Sequence, residues 1–502
     1  MYSLTRRKFI TMLSAAAAGT AVAPLAKLYA QNHPHGIFNR PEPGLCLTNG
    51  LGEGFGPIVD KLPVNAAELT DTVAGNLSQI PLLKLPQGFS YTALSITGQA
   101  MGDGSVVPGD HDGMACFLGQ NGHYVLVRNH ELSPAENKFG NRTGCLPPNG
   151  KVYDPFNLPA GQGGGGTTTL IVDRQGRLVM DYISLGGTIR NCAGGLTPWG
   201  SWISCEEDVS TLSNGVNTKI HGYNFEVPAM LGQAVDPIPL IDMGRFNHEA
   251  VACDPRTGFV YQTEDRGDSL FYRFVPHVRQ PRHFGDLQQG GTLYAMVIDA
   301  NITAICDGSS LPVFNEHASV DTRKNVQSFL GQPLPVRWVR IEEVNPATDT
   351  LRLEGHAKGA AVFSRGEGAW YDNNDGLIYF VATGGGNNGD GQVWAYNPKQ
   401  ETVTLLVEST DNGVLDNPDN ITVAPDGTLY LCEDGGGEQF VVGVDHQGNL
   451  FPFAKNNYNN SEFCGACFSP DSRFMFVNVQ SFGVTYAIFR DDYRPIKLQV
   501  PA

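Results

Sequence analysis

Charge is scarce in this chain, and positive charge is scarcer. Only 17% of its 502 residues are charged, and 34 Lys and Arg face 51 Asp and Glu, for a net charge of −17. A phosphate backbone demands a basic surface, so nucleic acid is excluded as a partner. Beyond the first thirty residues no run has the roughly eighteen continuous apolar residues of a membrane span, so no stable membrane anchor is expected. No Walker A run, Ser-His-Asp order or H-E-x-x-H occurs, so those mechanisms lose support. The ten cysteines are scattered and do not resemble a compact disulfide scaffold. Cys464 and Cys467 form a lone C-x-x-C inside an apolar strand pattern and read as buried packing.

What is abundant is glycine, at 60 residues, with scattered aromatics. That balance favours β structure with many tight turns. The acidic excess has two readings: a margin of solubility, or a pool of carboxylates neutralised by bound hard cations.

Residues 1–30 read as a targeting segment. Thr5-Arg6-Arg7-Lys8-Phe9-Ile10 is a twin-arginine signature, followed by a modestly apolar stretch from Met12 to Ala26, with cleavage expected near Ala23 or Ala30. Such signals address the twin-arginine export machinery, which carries folded proteins. The mature chain is expected in the periplasm or outside the cell. Export after folding fits a protein that takes its metal from the supply inside the cell.

Six segments share one plan: a polar cluster, an apolar strand, a turn, a second strand, and another polar cluster. They run from His111-Asp112 to Asn129-His130-Glu131, and from Asn191-Cys192 to Glu206-Glu207-Asp208. The next two run from His248-Glu249 to Glu264-Asp265, and from Arg365-Gly366-Glu367 to Thr383. The last two run from Pro418-Asp419-Asn420 to Glu433-Asp434, and from Glu462-Phe463-Cys464 to Asn478-Val479-Gln480. Pro, Asp, Asn and Gly turns join the paired strands, as at Asp254–Gly258 and Pro425–Gly427. A hairpin starts and ends at the same edge, so six radial hairpins gather all these clusters on one face. The expected fold is all-β: one six-bladed β-propeller over 31–502, with long inserts near 132–166, 209–240 and 275–350 covering the active face.

The polar clusters carry the chemistry. Cys192 lies in a Gly-rich turn, and a thiolate is a soft ligand that suits iron better than calcium. Strand alternation points Glu207 away from Glu206 and Asp208. Acidic strand ends recurring at one edge crowd carboxylates, which need cations to stay ionised. A mix of Asp, Glu and Asn suits calcium. Glu264 and Asp265, followed by Arg266, also read as a structural ion pair and are left out of the ligand set. His130 and His248 are expected to support ligands rather than to be ligands.

The runs Asn191–Gly200 with Cys205-Glu206-Glu207, Gly244–Ala250 with Tyr261–Asp265, Pro418-Asp419-Asn420 with Cys432-Glu433-Asp434, and Glu462–Asp471 with Phe476–Gln480 resemble the PhoX-type alkaline phosphatases. The resemblance covers most of the chain from about 85 to 490. It implies a six-bladed propeller and an iron and calcium cluster that hydrolyses phosphate monoesters. It implies iron ligation by Cys192, Glu207, Glu249 and Glu367, and phosphoryl contact by Arg365. Calcium ligands are then expected among Asn129, Glu131, Glu206, Asp419, Asn420, Glu433 and Asp434. The chain looks shorter than the longer members, and it is expected to act as a monomer on small phosphate esters. Two other readings stay open: a calcium-dependent propeller lactonase or esterase, and a non-catalytic periplasmic metal-binding propeller.

Overall fold

A computed structural model describes residues 49–134 and 144–498. The signal segment expected at 1–30 lies outside the described residues.

Six inner strands line a central axis: His111–Leu118, Asn191–Leu196, His248–Cys253, Gly366–Tyr371, Pro418–Val423 and Phe463–Phe468. Each packs against the next, and the last packs against the first, so they close a ring. Antiparallel strands run outward from each inner strand and form the six blades. The propeller expected from the repeats is therefore the fold.

The sequence makes blades because both faces of the strands inside each blade carry apolar side chains. In Ile378–Ala382, side chains alternate between two sheet faces, as a strand requires. Ile378, Phe380 and Ala382 pack into the core shared with the third blade, while Tyr379 and Val381 pack into the core shared with the fifth. Each of the six blade interfaces holds its own buried core. Burying apolar surface, at about 25 cal/mol per Å², on every interface stabilises the closed ring.

Two junctions stiffen the ring. Phe89–Ile96, early in the chain, pairs antiparallel with Val484–Arg490, the last strand, and completes the sixth blade. Leu334–Arg340 pairs with the outer strand of the third blade and also with the outer strand of the fourth, joining them as one nine-stranded sheet. The stretch 275–350 thus contains Gly291–Ile298, the outer strand of the third blade, and this joining strand. The stretch 209–240 contains Asn224–Pro228, the third strand of the second blade. No helix among the described residues is long and apolar enough to cross a membrane.

Candidate functional site

Every inner strand carries the same local defect. The pairing register slips once near its start, between residues 111 and 114, 191 and 194, 248 and 251, 366 and 369, 418 and 421, and 464 and 467. A bulge leaves one residue unpaired and re-aims its side chain. In five blades the re-aimed residue is a candidate ligand: Asp112, Cys192, Glu249, Glu367 and Asp419. In the sixth it is Gly465, at φ +61°, where an added Cβ would lie 2.4 Å from the Asp112 carbonyl oxygen. Backbone crowding leaves no room for a ligand there. Glu462 and Cys464, just before it, line the cavity instead.

These side chains form a continuous arc of overlapping triads. Asp112, Glu131 and Cys192 make the first, and Cys192, Glu207 and Glu249 the second. Glu249, Glu367 and Asp419 make the third, and Asp419, Asp434 and Glu462 the fourth. Within each triad the ligand atoms lie within 4.8 Å of one another. Arg190, Asp265 and Arg365 complete the wall of a cavity that opens to solvent.

Electrostatics in this pocket are unfavourable without cations. Glu249 is completely buried, and neither of its carboxylate oxygens has a hydrogen-bond partner. Burial, then the charges of Asp419, Glu207 and Asp112, push its pKa well above the usual carboxylate range, with the neighbouring Cys192 thiol pulling the other way. Burial does the same to Glu367, Asp112 and Glu462, each reinforced by acidic neighbours. Glu131 is pushed up to about 8 by burial, although Arg190 pulls the other way. Asp419 rises to about 7 through burial and Asp434, with Arg365 opposing. The Cys192 thiol is raised by burial and then by Asp112 and Glu249. An orphaned buried carboxylate between two triads is a strong sign that a cation belongs there. Hard oxygen donors around the Cys192 thiol fit a mixed set of metal ions.

The structure gathers eight of the residues expected from sequence around this cavity: Cys192, Glu207, Glu249, Glu367, Glu131, Asp419, Asp434 and Arg365. Four others are engaged elsewhere, and each for a visible reason. Glu206 turns away and accepts hydrogen bonds from the amides of Ile189, Gly222 and Tyr223 and from His221. Glu433 clamps a loop by accepting from the amides of Asp416 and Phe440. In both strand-end pairs the first carboxylate ties down backbone and the second faces the cavity. Asn129 donates to the carbonyls of Cys192 and Ala193 and accepts from Trp202 and Ser204, so it props the Cys192 bulge with both ends of its amide. Asn420 donates to Asp419 and accepts from the Gly465 amide.

Five cavity residues are absent from the candidates read in the sequence: Asp112, Arg190, Asp265, Glu462 and Cys464. Asp112 and Asp265 hold the signal in their repeat positions, as the bulge residue and the residue after a strand end. Cys467 is core packing, as expected, but Cys464 lines the cavity, and its thiol donates to the His111 carbonyl at 2.8 Å. His130 and His248 bond to the carbonyls of Gly109 and Gly244 and do not line the cavity.

Arg365 precedes its inner strand with φ +49°. Its Nε meets Asp265 at 3.2 Å and its Nη2 meets Glu367 at 2.8 Å. One guanidinium edge is thereby fixed at the cavity wall.

Fold and site define a β-propeller with an acidic pocket, lined by groups that could hold metal ions, at one end of its axis. The sequence places it more narrowly. The chain belongs to the alkaline phosphatase PhoX family, whose profile matches residues 70–182 and 175–483. Among solved structures it is similar to Pseudomonas fluorescens PhoX in complex with vanadate, a transition state analogue. That match has a TM-score of 0.61 and 18% identity, covering 83% of this chain and 97% of the other. It is also similar to a gluconolactonase from Xanthomonas campestris, with a TM-score of 0.39 and 12% identity, covering 87% of this chain and 98% of the other. No curated protein matches it.

Proposed function

We propose that this chain is an exported phosphatase that hydrolyses phosphate monoesters at an iron and calcium cluster. The orphaned Glu249 carboxylate, shared by two triads beside a fixed guanidinium, is the observation that carries this reading. Membership of the phosphatase family supports it. Cys192, Glu207, Glu249 and Glu367 would hold iron, the Cys192 thiolate supplying the soft donor. Glu131, Asp419 and Asp434 would hold calcium, joined by Asp112 and Glu462. The metals, when bound, supply concentrated positive charge for the phosphoryl oxygens and the leaving group.

The chain's own residues do the rest. Arg365 grips phosphoryl oxygens with its planar fork and stabilises the charge that grows on them as the ester bond breaks. Asp265 and Glu367 hold that fork in place. Asn129 fixes the bulge that presents Cys192. The twin-arginine route would deliver the folded chain to the periplasm or beyond, as a monomer acting on small phosphate esters.

The test is hydrolysis of p-nitrophenyl phosphate with and without a calcium chelator, beside elemental analysis. Iron with calcium, and activity that the chelator abolishes, are expected. Calcium alone with lactone cleavage would instead favour a propeller lactonase, and metal binding with no hydrolysis a scaffold. Arg365→Ala should lower kcat/KM by about 100-fold or more, the scale of losing a charge-stabilising donor; unchanged activity would remove its assigned role.

A further inference from the structure

The proposed chemistry leaves one cation in the cavity wall, Arg190, without a role. It stands one residue before its inner strand and two before Cys192, as Arg365 stands one before its own strand and two before Glu367. Both adopt left-handed backbone, with φ of 47° and 49°. Arginine seldom takes that conformation, and such strain persists where the surroundings enforce it. The two are equivalent positions two blades apart, so they reach the same cavity from different sides of the axis.

Their bonding is also alike. Arg190 Nη2 lies 2.6 Å from Glu131 and against Glu207, and its Nε donates to the Glu207 carbonyl at 3.2 Å. Arg365 uses Nε and Nη2 in the same way, for Asp265 and Glu367. The Nη1 group of each makes no hydrogen bond to another described residue. The side chains stay 40% and 37% exposed, so each guanidinium is tied at one edge and open at the other. The rest of the wall is carboxylate and thiol, which repels an oxyanion. Among the described residues of the wall, the two open guanidinium edges are what can attract one.

We infer that Arg190 is a second phosphoryl-binding residue, which grips the oxyanion of the substrate from the side of the cavity away from Arg365. This rests on the phosphatase reading above. The competing role is purely structural: Arg190 holds Glu131 and Glu207 as ligands and touches no substrate.

The experiment compares the metal-loaded full-length protein with its R190Q and R190K variants. Metal content is measured by elemental analysis, inorganic phosphate affinity by calorimetric titration, and kcat and KM on p-nitrophenyl phosphate. R190Q is expected to keep its metals, bind phosphate about ten-fold more weakly, and raise KM more than it lowers kcat. R190K should recover part of the phosphate affinity, since it restores charge but not the fork. Unchanged phosphate affinity with full metal content overturns the inference. So does loss of metal in R190Q in step with loss of phosphate binding, which assigns Arg190 the structural role. A parent protein that holds metals but neither binds phosphate nor cleaves the ester sinks the phosphatase reading itself, before any variant is considered.

Discussion

At the scale of the residue, Glu249 carries opposite consequences in the two states of the site. Without cations its buried, unpartnered carboxylate is a cost; with them it is shared by two triads. With no cation present burial keeps a proton on Glu249, so Glu249→Gln removes the cost of taking up that proton on folding and should stabilise the chelator-treated protein near neutral pH by about 1–3 kcal/mol. It should also shrink the rise in Tm on adding metal. Thermal unfolding of both proteins, with and without chelator, measures the two effects; a variant less stable in both states would refute this account of Glu249. The pair Glu206 and Glu207 makes the related point that adjacency in sequence is not adjacency in role. Alternation along a strand separates them by one face, and that much is legible from the sequence. Which of the two faces the axis is not, because the bulge that sets the phase belongs to the pairing and not to the composition.

At the scale of the element, the six hairpins and the acidic edge they share are written in the repeats, and so is most of the cavity. Asp112 is visible as the second residue of its repeat, alongside Cys192, Glu249 and Asp419. The joining strand Leu334–Arg340 is not, because its partners lie in two different blades. The strand Phe89–Ile96 is hidden for the same reason: its partner lies near the other end of the chain. Bulges also impose crowding that can be tested. Gly465→Ala would place a Cβ 2.4 Å from the Asp112 carbonyl, at φ +61°. Gly200→Ala, at φ +88° with nothing within 4 Å, meets backbone strain alone. Gly200→Ala should cost about 1 kcal/mol. Gly465→Ala should cost several times that or prevent folding, as read by denaturant unfolding.

A second element-scale test concerns the buried clamp behind Glu206. His221 sits between Glu206 at 2.7 Å and Asp154 at 3.2 Å, tying the segment that follows residue 144 to the second blade. Burial alone would lower its pKa, but the two carboxylates raise it to about 9. The folded value lies above the unfolded one of about 6.5. The clamp's contribution is thus full below about 6.5 and lost as pH rises through about 9. Tm measured from pH 6 to 10 should fall across that window, and His221→Gln should flatten the fall.

For the whole molecule, the raised carboxylates set how pH and metal act together. Without cations, Glu131 and Asp419 keep their protons to about 8 and 7, whereas unfolded chains release them near 4. The fold binds more protons than the unfolded chain across that interval, so metal-free stability falls as pH rises from about 4 to 8. Cations remove the penalty by replacing those protons. The Tm increase on adding metal should be larger at pH 8 than at pH 5, and binding should release protons, countable by calorimetry in buffers of different ionisation enthalpy.

The arc of ligands begins at Asp112 and ends at Glu462, and the inner strands that carry its two ends pack side by side. Residues 350 positions apart in the chain thus become neighbours only when the ring closes. A chain still being synthesised holds isolated carboxylates, each a weak and unselective ligand. The finished chain holds an arc whose members share ions. High-affinity loading is therefore a test of completeness: a protein truncated before Glu462 loses the fourth triad and the closed ring, and should retain less metal than the full chain. In that sense the cation reports that translation has finished.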